Sequence, residues 1–102
     1  MSFIKNFSPE TVLHLASEIQ AAPGQIVSKT LAQNKALTLT LFAFAKGEEI
    51  STHSSAGDAM VNVLCGKGKF TIDGKDYLVE AGESLVMPAE KPHAVYAEED
   101  FK

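Results

Sequence analysis

The sequence predicts an all-β domain, a small antiparallel sandwich or barrel preceded by one short helix. Three observations carry this prediction. From residue 25 onward the chain breaks into short runs that alternate in hydropathy with period two. Gly66, Gly74 and Gly82 punctuate those runs at an even spacing, the beat of a meander of short strands. Asp73-Gly74 is the preferred dipeptide of a two-residue hairpin.

The elements follow in order. Ser8 is a good N-cap, and Pro9 falls where a helix's first N–H has no partner to lose. Val12, Leu15, Ala16 and Ile19 then recur at helical spacing, and Pro23-Gly24 stops the pattern. Residues 1–24 are therefore expected to be a helical extension lying on the outside of residues 25–102, the two together making one domain. Strands are expected over Gln25–Ala32 and Ala36–Ala45. In the second, Leu37, Leu39 and Leu41 share one face, and Thr38, Thr40, Phe42 and Phe44 the other. Shorter strands follow at Ile50–His53, Ala59–Leu64, Lys69–Ile72, Tyr77–Val79, Ser84–Met87 and Ala94–Tyr96, with Ala59 and Val61 facing inward.

Composition narrows the function classes. With 102 residues there is room for one modest core. A net charge of −4, with lysine supplying all nine basic residues, argues against nucleic-acid binding, which uses basic stripes and arginine forks. No apolar run suits a membrane span, and Lys5, Glu10, His14 and Glu18 break up any signal-like stretch. Cys65 stands alone, so no internal disulfide forms, which fits a cytoplasmic location. Met60, Leu64, Phe42, Phe44 and Phe70 exceed what one small barrel interior needs, and the surplus predicts a homodimer.

Two segments resemble the cupin superfamily. The first family signature is Gly, five residues, His-x-His, three or four residues, Glu, six residues, Gly. Gly47, His53 and Gly66 match it, while Ser55 stands at the second His and Ala59 at the Glu. The second is Gly, five residues, Pro-x-Gly, two residues, His, three residues, Asn. Gly82, Pro88 and His93 match, with Glu90 and Ala97 at the Gly and Asn. The resemblance implies a small antiparallel jelly-roll barrel with a central pocket. It also implies one further strand after the second signature. Only Ala94–Lys102 remain for it, so that strand is either very short or completed by a neighbouring chain.

In metal-binding relatives three His and one Glu hold a divalent ion; imidazole suits Zn, Ni, Fe and Cu, and the resemblance implies a divalent transition metal (Zn, Ni, Fe or Mn) as the cofactor where one is bound. Here the resemblance supplies only His53 and His93, fewer than the three or more ligands that protein sites usually offer. Asp58 neighbours the Glu position, but strand alternation aims it away from the pocket. The expectation is a barrel that binds a small molecule through His53, Ser55 and His93, with metal weak or absent. Two alternatives stand beside it. One is a metal-dependent enzyme such as a small oxygenase or isomerase, with His53 and His93 as ligands and Asp58, turned inward by a bulge before Ala59, or a water in place of the missing ones. The other is a structural or regulatory domain whose pocket its own side chains fill. Ser54 and Ser55 lack a third residue for a triad. Gly66-Lys67-Gly68 has no helix behind it to make a phosphate loop. His14 reads as a surface residue, Cys65 as a plain thiol and Glu98-Glu99-Asp100 as a solvated tail.

Overall fold

Eight strands dominate residues 3–102, the part of the chain that the computed structural model describes. They are β1 (Ile26–Gln33), β2 (Thr38–Phe44), β3 (Glu49–His53), β4 (Ala59–Asn62), β5 (Lys67–Ile72), β6 (Lys75–Glu80), β7 (Ser84–Met87) and β8 (His93–Ala97). All pair antiparallel. A four-stranded sheet has the order β3-β8-β5-β6, and two ribbons, β1-β2 and β4-β7, face it. The β5–β6 hairpin turns on Asp73 and Gly74, both at positive φ (50° and 82°), the type I′ geometry whose twist suits the flanking strands.

Phe101 and Lys102 join the two ribbons. Phe44 and Phe101 exchange both backbone bonds, at 2.8 and 3.0 Å. On the other side the Leu64 N–H donates to the Lys102 carbonyl and the Lys102 N–H to the Cys65 carbonyl. Phe101 and Lys102 are thus the part of the closing strand that the described residues supply. Glu98–Asp100 is accordingly a turn and not a tail: Glu99 N–H donates to Lys67 and the Asp100 carboxylate accepts the Lys46 N–H. Gly66 explains how the bridge fits. A Cβ there would run into the Asp100 carbonyl and come within 2.8 Å of Phe101 Cα.

Inside lies one cluster, Phe44, Val63, Phe70, Val79, Met87, Val95, Ala97 and Phe101, with Ala59 and Val61 packed against it as the alternation predicts. Phe101 stacks on Phe44 at 4.6 Å and meets Phe70 edge-on at 6.0 Å. A second cluster covers the outer face of β1–β2, where Ile19 packs on Leu31, Leu41 and Ala43, with Leu64 at its edge. The apolar surplus therefore divides. Phe44 and Phe70 fill the barrel and Leu64 the outer cluster, while Met60 stays 67% exposed.

The N-terminal helix is the main departure. The only helical turn among the described residues is a 3-10 turn at Leu15–Ser17; Met1 and Ser2 lie outside them. Glu10 sits at φ 59°, left-handed, where a helix capped by Ser8 needs its first turn. A helix of about a dozen residues has little stability of its own. Bonds to the barrel replace it: Lys5 N–H to the Leu31 carbonyl, Lys29 Nζ to the Glu18 carbonyl and Lys102 Nζ to the Ala16 carbonyl. The expected stripe is split, with Ile19 buried and Val12 98% exposed. Phe7, Ile19 and Ala21 of this segment pack with Leu31, Leu41 and Ala43 of β1–β2. Among the described residues no helix is long and apolar enough to cross a membrane.

Candidate functional site

His53 ends β3 and His93 begins β8, and the two are direct partners across the pair. Sequence alternation alone does not put them together. Ile50 packs against the barrel core, and a residue three positions further on a regular strand would face outward. The register explains the outcome. Ile50 lies opposite Val95 and His53 opposite His93, so β3 carries one extra residue between the two pairs. This bulge returns His53 to the same face as Ile50 and brings it against His93. On the other side of His93 lies Ile72 of β5.

The two imidazoles meet edge to face, with ring centroids 4.3 Å apart. His93 is buried and His53 exposed, so the pair sits at the rim of the barrel interior. Each ring is fixed by a carbonyl two residues before it: His53 Nδ1 to Ser51 at 3.0 Å and His93 Nδ1 to Lys91 at 3.2 Å. A carbonyl only accepts, so Nδ1 is the donor in both rings. The neutral ring then presents Nε2 as a lone pair. The same backbone restraint orients metal-binding histidines.

The other predicted positions do not join them. The Ser55 hydroxyl donates to the Gly57 carbonyl at 2.9 Å, within its own loop. Ala59 offers no donor and packs on the core. Asp58 accepts the Ala89 N–H at 2.7 Å, tying the start of β4 to the segment that leads to His93. Glu90 stands at φ 69°, a glycine-like backbone, and its N–H donates to the Ser55 carbonyl. Among the described residues no group of three His, Cys, Asp or Glu side chains is placed to hold a metal. A donor set of two imidazoles does not fit a tightly held ion.

Sequence reasoning missed a neighbouring concavity of about 370 Å³. Its walls include Ile72, Tyr77, Leu85, Pro88, Lys75 and Lys91. Ile72 is the cross-strand partner of His93, and Lys91 supplies the carbonyl that holds its ring. Tyr77 lies opposite core residue Phe70 and so faces inward. The inward alternation of Lys75, Tyr77 and Val79 was a usable signal for this wall. A second hollow of about 420 Å³ lies in the N-terminal segment around Phe7 and His14. Neither hollow is lined by His53, Ser55 or His93. His14 is exposed, and Cys65 is a free, half-buried thiol.

A two-layer antiparallel barrel with an inward-facing histidine pair at its rim defines a class of small β-barrel proteins. The comparisons place the chain within it: a cupin domain model matches residues 40–102, more than half of the chain, and the protein belongs to the cupin superfamily. A conserved protein of unknown function from Streptococcus pyogenes is 46% identical over 99% of this chain and 89% of its own, with a TM-score of 0.94. A cupin superfamily protein from Desulfitobacterium hafniense is 34% identical over 98% of this chain and 92% of its own, with a TM-score of 0.92. A cupin 2 conserved barrel domain protein from Leptotrichia buccalis is 47% identical over 87% of this chain, which spans 43% of it (TM-score 0.84). No curated protein matches the chain.

Proposed function

We propose that this cupin binds a small molecule at the barrel mouth, with His53 and His93 as polar anchors, Ser55 at the rim and metal weak or absent. The observation that carries this reading is the pair of Nδ1–carbonyl restraints, which leaves two Nε2 lone pairs side by side. Two neutral imidazoles offer acceptors to a hydroxyl, an amide or an acid proton, and an acceptor so placed can act as a general base. The adjoining 370 Å³ hollow falls in the size range of small-ligand sites.

The same restraints support a second reading, a metal-dependent enzyme, because they present two histidines as ligands. The two readings separate on affinity. Two imidazoles completed by water hold zinc or nickel weakly. The double variant Ser55→His, Ala59→Glu supplies four donors, and by calorimetry it is expected to bind either ion at least about a hundredfold more tightly. Native mass spectrometry of untagged protein provides the other arm. Metal carried through purification moves the metalloenzyme reading to first place, and a retained organic ligand upholds the leading one. The exposed pair Met60 and Val86 on the outer face of β4–β7 supports a homodimer, which light scattering tests directly.

A further inference from the structure

The register of the four-stranded sheet sets four residues in one row across its rim. His53 of β3 lies opposite His93 of β8, His93 opposite Ile72 of β5, and Ile72 opposite Lys75 of β6. The next row inward is Ile50, Val95, Phe70 and Tyr77, the first three in the barrel core or packed against it. Residues two apart on a strand share a face, and the bulge in β3 restores that match for His53, so the rim row faces the barrel interior too. Across the rim the side chains run imidazole, imidazole, isoleucine, ammonium.

The ammonium end of this row is the 370 Å³ hollow, which Lys91 also lines. The Asp73 N–H donates to the Pro92 carbonyl at 2.8 Å, holding the loop that bears Lys91 against the hairpin that bears Lys75. Asp73 is the one carboxylate among the described lining residues. It stands 3.8 Å from Lys91 Nζ, too far for a hydrogen bond. Lys75 Nζ lies over the Tyr77 ring, 5.5 Å from its centroid. Two ammoniums against one carboxylate leave a net positive charge in the hollow of a chain whose net charge is −4. Ile72, Leu85 and Pro88 supply an apolar wall beside it.

We propose that the rim takes a hydroxy monocarboxylate with an apolar body. The carboxylate sits between Lys75 and Lys91, the body lies on Ile72 and Leu85, and the hydroxyl donates to an Nε2 lone pair of the histidine pair. A dianion such as phosphate suits the hollow less, because the lining carries one net positive charge and the chain has no arginine fork. Lys75 and His93 are two strand spacings apart, about 10 Å, and the lysine stem takes up part of that span. The carboxylate and the hydroxyl of the ligand are therefore about 6–8 Å apart. This inference deepens the reading of the rim as a small-molecule site and rests on it.

The test is an NMR titration of the full chain with 3-(4-hydroxyphenyl)propanoate at low salt. Amide shifts are expected at Ile72, Lys75, Lys91 and His93. Two analogues remove one end each: 3-(4-hydroxyphenyl)propanamide lacks the charge and 3-phenylpropanoate lacks the hydroxyl. Each is expected to bind at least about tenfold more weakly. The double variant Lys75→Gln, Lys91→Gln is expected to weaken the hydroxy acid about tenfold and to leave the amide analogue unchanged. His53→Ala is expected to abolish binding of the hydroxy acid. If His53→Ala abolishes binding and the lysine variant does not weaken it, the histidine reading stands and the carboxylate assignment is overturned. If the lysine variant weakens binding and His53→Ala does not, the histidine reading falls and the inference falls with it. Equal affinity for the acid and its amide, displacement of the acid by equimolar inorganic phosphate, or no binding of the acid each overturns the inference alone, since native mass spectrometry tests the histidine reading separately.

Discussion

Gly66→Ala tests the closing bridge, because two separate costs meet at this residue. Its φ of +78° is left-handed, which costs a residue with a Cβ about 1–2 kcal/mol. The new methyl would also overlap the Asp100 carbonyl and sit 2.8 Å from both Phe101 Cα and Cβ. These are mostly backbone atoms with little freedom to yield, and overpacking of this kind costs about 1–3 kcal/mol. Reduced freedom of the unfolded chain returns up to about 1 kcal/mol. The net loss is about 2–4 kcal/mol. Gly74→Ala is the matched control. Its φ is +82°, but a Cβ there meets nothing within 4 Å, so it carries the conformational cost alone, about 1 kcal/mol. Urea denaturation of both variants gives the difference. Thermal melts are expected to follow at about 4–8 °C per kcal/mol. In Gly66→Ala, exchange of the Leu64 amide, whose acceptor is the Lys102 carbonyl, is expected to speed up. Equal losses in the two variants would show that Asp100 and Phe101 do not lie against Gly66, and the short closing strand would be refuted.

Three further variants probe the site and its supports. Glu90→Gly relieves a left-handed backbone at φ 69° and is expected to stabilise the fold by about 0.5 kcal/mol in urea melts, the strain relieved less the added freedom of the unfolded chain; a loss would show that the Glu90 side chain contributes something unrecognised. Asp58→Ala removes the acceptor of the Ala89 N–H, and is expected to cost about 1 kcal/mol and to speed exchange of that amide. The histidines should behave unequally. His53→Ala, at an exposed position, is expected to change stability by no more than about 0.5 kcal/mol, and His93→Ala, at a buried one, to cost about 2 kcal/mol, while either abolishes ligand binding at the rim. Equal stability effects would contradict the depth assigned to the two rings.

The strands were legible because their signals are local. Apolar alternation, Asp73-Gly74 and the spaced glycines each act over a few residues, and the eight strands lie close to their expected positions. The facing of Ala59 and Val61 was legible for the same reason, since alternation holds wherever a strand is regular. His53 and His93 were found through motif spacing, and the structure brings them together.

Long-range contacts decided the rest. The helical stripe of Val12 to Ile19 satisfied a local pattern, but a segment that short takes its conformation from the barrel bonds made by Lys5, Lys29 and Lys102. Ser55 aligned with a ligand position, yet its hydroxyl follows the nearest carbonyl, that of Gly57. The bulge that turns His53 inward has no signature in the residues of β3, because it depends on the register that β8 imposes. By itself the sequence determined which stretches are strands, where the chain turns and which two histidines are available. Only the tertiary structure decided how the strands register and which way each polar side chain points, because those depend on partners far away along the chain.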